Sequence, residues 1–198
     1  MKTFYALIDR YTAADDRQRD AIEVEIWQRY GVVRAVLVLD MSSFTASVHR
    51  DGILPYLSRI RQMHAVTAPI VAAFSGEVVK YQADDLLAVF PNATQALGAA
   101  LSMRTQLLDG ALPQRVGIGL SYGRILLVPG LDSHGDATNL AFKLGEDIAS
   151  NGEILVTADF LKALDANNNL HLDRRIINIT DIQLEAFCIV GDSNGPGH

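Results

Sequence analysis

Hydrophobic and polar positions change period several times along the chain, and these changes mark out alternating strands and helices. Val32–Leu39 is an almost continuous apolar, β-branched run, which is typical of a strand buried on both faces. Gly52–Val71 has helical spacing, and Pro69 is expected to kink or end that helix. The remaining predicted elements are strands Gly76–Gln82 and Leu86–Phe90, helix Ala93–Leu108, strands Arg115–Tyr122 and Arg124–Val128 around Gly123, helix Asp136–Ser150, strand Glu153–Val156, helix Ala158–Leu164, and strands Ile176–Ile179 and Leu184–Val190.

The order of these elements predicts the fold class. A strand, a helix, two strands, a helix and a strand in succession form the split βαβ arrangement of ferredoxin-like proteins, here with extra C-terminal α and β elements. Such a sheet covers one face with helices and can leave the other face for a ligand or a partner. We therefore expect an α/β (α+β) domain over residues 32–190.

Residues 1–31 are predicted to form an N-terminal helical segment. Thr12 and Asp15 fit a capping box, and Gly31 is expected to end the helix. Its apolar stripe consists of Ile22, Ile26, Trp27 and Tyr30. The segment either packs on the main domain or serves as a dimerisation or signal-input element. At the other end, residues 191–198 are rich in Gly, Ser and Asn and are expected to be disordered.

Composition narrows the range of partners. The net charge of −6 argues against a nucleic-acid partner, because phosphate backbones require a basic surface. Cys188 is the only cysteine, so no intrachain disulfide forms, and its apolar neighbours predict a buried, inert thiol. Met1–Arg10 lacks the apolar core of a signal peptide, and no stretch is apolar enough to cross a membrane. These features predict a cytoplasmic protein.

Two aspartates occupy the ends of predicted strands. Asp40 follows the first strand, and Asp84 lies at the tip of the hairpin formed by the next two strands. Because the first strand lies beside this hairpin in a split βαβ fold, the two carboxylates are able to meet. Such oxygen ligands suit Mg²⁺ or Mn²⁺. Aspartates at strand ends also commonly cap turns, so both interpretations remain open at this point.

Five ordered motifs resemble those of the class III adenylate and guanylate cyclases. The first joins a buried strand to an aspartate, small residues and Phe-Thr, and the second is a Lys-x-x-Gly-Asp hairpin. The segments that carry the resemblance are Val36–Thr45, Val79–Phe90, Val116–Gly123, Gly135–Leu144 and Gly152–Thr157. The resemblance extends over roughly Arg34 to Val190 and implies a ferredoxin-like cyclase fold.

This resemblance also implies a metal and phosphate site. Two protomers would pair head to tail as a homodimer, with each active site at their interface. Asp40, Asp84 and the backbone carbonyl of Met41 would bind two Mg²⁺ or Mn²⁺ ions per site. The backbone N–H groups that follow would cradle phosphate, in the residues Ser42, Ser43, Phe44 and Thr45.

The partner protomer would recognise the base. In adenylate cyclases a lysine and an aspartate contact adenine, and these positions correspond to Lys80 and Asp132. Lysine donates to adenine N1 and a carboxylate accepts from the exocyclic amine, so ATP is favoured over GTP. Asn139 would position the ribose, and Lys143 would stabilise the phosphate charge of the transition state.

At two positions the residue differs from the cationic residue that contacts phosphate in the family. Lys143 replaces an arginine and so loses a bidentate fork, while Thr180 replaces a lysine that contacts the triphosphate. Arg174 and Arg175 are nearby candidates to replace the missing lysine.

A third departure lies in the hairpin turn, where Ala83 replaces a glycine and Asp85 adds a negative charge that either holds a metal or repels phosphate. The expected function is a class III adenylate cyclase-like lyase that makes cyclic AMP and pyrophosphate in signal transduction. The alternatives are a weakly active or inactive module that binds nucleotide or regulates a partner, and a cyclase that uses another nucleoside triphosphate.

Overall fold

The computed structural model describes residues 2–41, 48–49, 52–110, 113–150, 152–165, 170–179 and 182–192. The helices in these ranges are α1 (Lys2–Ala13), α2 (Asp16–Tyr30), α3 (Ile53–Ala73), α4 (Ala93–Leu108), α5 (Asp136–Phe142), the π-helix (Lys143–Ile148) and α6 (Ala158–Lys162). The strands are β1 (Gly31–Met41), β2 (Glu77–Gln82), β3 (Asp85–Phe90), β4 (Val116–Val128), β5 (Asp132–His134), β6 (Ile154–Thr157), β7 (Leu170–Ile179) and β8 (Ile182–Asp192).

These strands form one mixed sheet in the order β2-β3-β1-β4-β6-β8-β7, with the short β5 paired to β4. Only β4 and β6 run parallel among the described strand pairs, and the others are antiparallel. The succession β1-α3-β2-β3-α4-β4 is the split βαβ order, and the remaining elements extend the sheet beyond β4. The predicted α/β fold class is therefore confirmed.

Side chains of β1 alternate between two packed layers. Leu37 and Leu39 enter the main core beneath α3 and α4, whereas Val36 and Val38 pack in a second cluster with Ala141 of α5. The second face, which such a sheet can leave for a ligand or a partner, is thus covered at the centre of the sheet. Asp40 continues the alternation of Val36 and Val38, so it lies on this second face at the point where the cover ends.

Glycines allow α5 and the π-helix to lie directly on the sheet. A Cβ atom on Gly119 would stand 2.2 Å from the carbonyl oxygen of Ala141, and one on Gly117 would stand 2.7 Å from that of Gly145. A Cβ on Gly145 would in turn meet the carbonyl oxygen of Val38 at 2.8 Å. The backbones can approach this closely only where side chains are missing.

Two predicted interruptions differ in the structure: the helix does not end at Pro69, and Gly123 does not separate two strands. Pro69 lies inside α3, which continues to Ala73, because the buried side chains of Ile70 and Val71 hold the last turn against the core. Gly123 does not separate two strands: β4 is continuous, because β1 pairs with it on both sides of Gly123. In both places tertiary contacts outweigh a local preference.

The N-terminal segment contains two helices rather than the single helix predicted. The capping box is formed by Asp15 and Gln18, since the Asp15 carboxylate accepts from the Gln18 N–H at 2.9 Å and the Gln18 side chain accepts from the Asp15 N–H. Thr12 belongs to α1, where its hydroxyl donates to the carbonyl oxygen of Ile8. The predicted Thr12–Asp15 box was therefore wrong by one turn.

The C-terminal elements differ from prediction mainly in length. The final hairpin is longer than expected, with β8 ending at Asp192. The predicted helix Asp136–Ser150 is divided into α5 and the π-helix, and it ends at Ile148. Cys188 is a buried free thiol, as predicted. Among the described residues no helix has the length and apolar character needed to cross a bilayer.

The close contact between β4 and α5 can be tested with two glycines of the same strand. We expect Gly119→Ala to lower the free energy of unfolding by about 1–3 kcal/mol, because its Cβ overlaps a backbone carbonyl that cannot move freely. Gly123→Ala is the matched control, since its Cβ would meet only the Cβ of Ala137, at 3.3 Å. The Gly123→Ala protein should lose less than about 1 kcal/mol of its free energy of unfolding. Denaturant unfolding measures this quantity for both variants. Equal losses would contradict the proposed overlap.

Candidate active site

Three carboxylates meet where β1 ends. Asp40 lies opposite Asp85 in the ladder between β1 and β3, and Asp84 occupies the turn just before β3. One oxygen from each of the three lies within 4.8 Å of the others. Oxygen donors gathered this closely fit the ligand preference of Mg²⁺ or Mn²⁺. The two predicted aspartates thus do meet, together with Asp85.

A strained turn and a buried tyrosine hold Asp84. Ala83 has a φ of 51°, so the turn keeps the left-handed conformation that a glycine would adopt more easily. The hydroxyl of Tyr56, on α3, donates to Asp84 Oδ2 at 2.6 Å. Burial, followed by this hydrogen bond, raises the pKa of Tyr56 above its ordinary value, so it stays protonated and remains a donor. Nothing in the sequence indicated a role for Tyr56.

The carboxylates of this cluster hold protons more strongly than free ones. Burial raises the pKa of Asp40 to about 6, and the charges of Asp84 and Glu146 add to the increase. Burial also raises the pKa of Asp85 to about 7, with further contributions from its hydrogen bond to Asp40 and from the charge of Asp40. Because the two carboxylates are hydrogen-bonded to each other, the proton that they hold belongs to the pair rather than to one residue.

Glu146 of the π-helix is a fourth acidic side chain at this cluster. Glu146 is exposed, but its partial removal from water, followed by the charge of Asp85, raises its pKa to about 7. Its side chain is hydrogen-bonded to Asp85. The sequence analysis missed Glu146, because its approach depends on the π-helical turn and on the glycines beneath it.

A second charged pair lies on the same face of the sheet. Lys80 Nζ is 3.0 Å from each carboxylate oxygen of Asp132, and about a quarter of each side chain is exposed. The ammonium also lies 5.8 Å from the centre of the Phe142 ring. The pair therefore presents a hydrogen-bond donor and an acceptor side by side at the protein surface.

A β-bulge orients Lys80. The pairing of β2 with β3 shifts between Val78 and Lys80, which leaves Val79 as an extra residue. As a result Lys80 lies opposite Leu87, whose side chain belongs to the second face, together with Asp40 and Asp85. Without the bulge the alternation would direct Lys80 toward α3. No feature of the sequence predicted this bulge.

Asp132 depends on the short strand β5, which the sequence analysis did not predict. It pairs with Val128 at the end of β4, and its Oδ1 accepts a hydrogen bond from the N–H of Ser133 at 2.9 Å. The adjacent Ser133 hydroxyl is buried and lies 2.8 Å from the hydroxyl of Thr138 on α5.

The remaining predicted site residues lie at the end of β1, on α5 and the π-helix, or outside the described residues. Asn139 is exposed, and Lys143 follows one turn later. Lys143 Nζ lies 2.6 Å from the Asp147 carboxylate, so its charge is already paired within the chain. Met41 is buried, so it could contribute only a backbone carbonyl. The predicted phosphate-binding residues 42–45 and Thr180 are not among the described residues.

The two arginines considered as substitutes for the missing lysine are both engaged elsewhere. Arg174 forms an ion pair with Glu185 on β8. Arg175 donates two hydrogen bonds to Glu153, at 2.7 and 3.1 Å. A bidentate pair of this kind holds a guanidinium firmly, so Arg175 ties β7 to the segment before β6.

The raised pKa values predict an unusual pH dependence of stability. Folded Asp40, Asp85 and Glu146 bind protons that the unfolded chain releases, between about pH 4 and pH 7. Stability in EDTA should therefore fall as the pH rises through this window and stay lower above it. At pH 8 we expect the free energy of unfolding of the Asp85→Asn protein to be about 1 kcal/mol higher than that of the wild type. This value is reduced for solvent screening, because Asp85 is only half-buried.

The same comparison at pH 4 provides a control, because Asp85 is protonated there and resembles asparagine. Asp109→Asn, which alters an exposed carboxylate at the C-terminal end of α4, should leave the pH profile unchanged. Denaturant unfolding at several pH values measures all three proteins. An Asp85→Asn protein that loses stability at pH 8 would contradict the mutual repulsion of the cluster.

Comparisons with known proteins bear on the fold. No protein-family model and no curated protein matches the chain. An adenylate/guanylate cyclase/hydrolase from Silicibacter pomeroyi matches with a TM-score of 0.70 and 24% identity, over 82% of this chain and 98% of that one. Adenylate cyclases from Trypanosoma brucei in their monomeric state match with a TM-score of 0.71 and 14% identity, over 84% and 91% of the two chains.

A third match is the guanylate cyclase domain of RhGC from Catenaria anguillulae in complex with GTP. Its TM-score is 0.69 at 15% identity, over 83% of this chain and 98% of that one. These matches extend over most of the present chain and nearly all of each solved domain. The protein therefore has the fold of the class III adenylate and guanylate cyclase catalytic domains, as the resemblance of its motifs implied.

Proposed function

We propose that this protein is a nucleotidyl cyclase that converts ATP to cyclic AMP and pyrophosphate. The observation that carries the proposal is the cluster of Asp40, Asp84 and Asp85 at the end of β1, in a fold shared with solved cyclase domains. In this reaction the ribose 3′-oxygen forms a bond to the α-phosphorus. The bond from that phosphorus to the bridging oxygen breaks, and pyrophosphate leaves with the electron pair.

The cluster is suited to hold two Mg²⁺ or Mn²⁺ ions. Asp40, Asp84 and the backbone carbonyl of Met41 are the proposed ligands, and Asp85 is a further carboxylate within reach of the same ions. When bound, such ions would assist deprotonation of the 3′-hydroxyl and neutralise phosphate charge. Tyr56 would keep the Asp84 carboxylate oriented through its hydrogen bond.

The ion pair of Lys80 and Asp132 is the proposed purine-recognition site. Lys80 would donate to adenine N1, and Asp132 would accept from the exocyclic amino group. Guanine presents the opposite polarity at both positions, so this pair supports ATP as the favoured substrate. Asn139 would orient the ribose, and Lys143 would act on the α-phosphate after leaving Asp147.

We further propose that two copies of the chain form the site together. One copy would supply the carboxylate cluster, and its partner would supply Lys80, Asp132, Asn139 and Lys143. Head-to-tail pairing of this kind would give a symmetric homodimer with two equivalent sites.

A second candidate is a module that binds nucleotide to regulate a partner and turns over slowly or not at all. The ion pair between Lys143 and Asp147 favours it, because the cation expected to stabilise the transition state is already occupied. The fourth acidic side chain, Glu146, adds negative charge close to where phosphate would bind. Nucleotide-dependent thermal stabilisation without turnover would identify this case.

Incubation of the purified protein with each of the four nucleoside triphosphates and Mn²⁺ tests the proposed reaction. We expect cyclic AMP from ATP, and a loss of at least about a hundredfold in Asp84→Asn, because a metal ligand is removed. Product is measured by liquid chromatography. No cyclic product from any nucleotide at high protein concentration would reject the cyclase assignment.

The same assay tests the shared site. Asp84→Asn and Lys80→Ala proteins should each be inactive, but a mixture should recover part of the activity. Mixed dimers contain one site built from the unaltered halves of both chains. Absence of recovery in a mixture that contains mixed dimers would contradict a site composed of two copies.

Purine preference should follow the polarity of the Lys80–Asp132 pair. The double substitution Lys80→Glu and Asp132→Lys keeps an ion pair but exchanges its donor and acceptor. We expect the ratio of kcat/KM for ATP over GTP to fall by at least about tenfold, because adenine would leave buried polar groups unpaired. Steady-state kinetics with both nucleotides measures the ratio, and the Asp109→Asn protein is the control. An unchanged ratio would exclude this pair from base recognition.

A further inference from the structure

The three residues of β5 each contact a different part of the molecule. Asp132 forms the ion pair with Lys80 of β2, and Ser133 is hydrogen-bonded to Thr138 of α5. His134 stacks on Phe4 of α1, with ring centres 5.7 Å apart and planes inclined by only 6°. This short strand therefore connects the proposed purine-binding pair with both α5 and the N-terminal helices.

The N-terminal helices pack firmly against this region of the sheet. Phe4 and Leu7 of α1 and Ile22 and Ile26 of α2 form a buried cluster with Val128, the last residue of β4. Leu131, the residue before Asp132, packs on the same cluster. The ring of Tyr30 meets that of Phe4 edge to face, at 4.9 Å and 79°. Phe4 is only 4% exposed, because it lies between these groups.

Strand β5 has little intrinsic support of its own. It pairs only with the last three residues of β4, and both segments that flank it contain a glycine in a left-handed or otherwise unusual conformation. Gly130 has a φ of +65° and Gly135 has a φ of +135°. Such glycines do not resist rotation as other residues do. The position of β5 therefore depends on what packs against its side chains.

We propose that the α1–α2 hairpin sets the position of Asp132 through β5, and thereby controls the affinity for the purine nucleotide. Phe4 and His134 are the positioning residues of this contact. Movement of α1 away from β5 would release His134 and Leu131 on either side of Asp132. The carboxylate would then lose its fixed alignment with Lys80. The nucleotide part of this inference rests on the proposed function, whereas the ordering of β5 by α1 does not.

The ordering of β5 by α1 is tested by comparing His134→Ala with His134→Phe in the full chain. Alanine removes the stacked ring, whereas phenylalanine keeps an aromatic ring on Phe4. Hydrogen exchange of the peptide that spans residues 129–135 should be about two- to tenfold faster in His134→Ala and close to wild type in His134→Phe. Ile8→Ala is the matched control, since Ile8 lies on the exposed side of α1, one turn from Phe4.

Binding is measured by calorimetry with the α-thio analogue of ATP and Mn²⁺. The Kd should rise by about two- to tenfold in His134→Ala, recover in His134→Phe and stay unchanged in Ile8→Ala. Unchanged exchange of β5 in His134→Ala would overturn the inference, as would faster exchange with an unchanged Kd. If β5 loosens as expected but the wild type binds no nucleotide, the proposed function fails and the ordering of β5 by α1 stands.

Discussion

The contact of α5 and the π-helix with strands β1 and β4 determines where the charged groups of the site lie. Gly117, Gly119 and Gly145 bring the backbones of helix and sheet together, so the helix cannot shift without a clash. This contact places Glu146 beside the carboxylates at the end of β1, and it fixes Asn139 and Lys143 on the surface that the proposed partner site would use. It also covers the second face of the sheet at its centre. Close packing at these three glycines is therefore the structural basis for the arrangement of the site.

The carboxylates of the cluster repel one another, and a bound cation would relieve this repulsion. Four acidic side chains converge on one region, and the folded chain limits their repulsion by keeping some of them protonated. A divalent ion that binds there must displace those protons, so metal affinity and pH are coupled. The hydrophobic cores elsewhere in the sheet provide the stability that offsets the repulsion in this cluster.

Much of the site could be predicted, because it is encoded in short, contiguous motifs. Asp40 and Asp84 follow from strand ends, and the family pattern pointed to Lys80 and Asp132 as base-reading residues, although not to their ion pair with each other. What could not be predicted depends on contacts between distant segments. The bulge at Val79 decides which face Lys80 occupies, and the turn of the π-helix brings Glu146 to the cluster. Likewise the break expected at Gly123 disappears because β1 continues to pair along β4.

The ion pair between Lys80 and Asp132 makes the resting surface self-complementary. Each group is already bonded to the other. In the proposed function a base would have to replace this ion pair with bonds of its own, so a matched purine would gain little and a mismatched base would break the pair without compensation. Discrimination in such an arrangement arises from rejection more than from attraction. In the proposed function, this partly exposed pair would therefore exclude a base of the wrong polarity and admit a matched one.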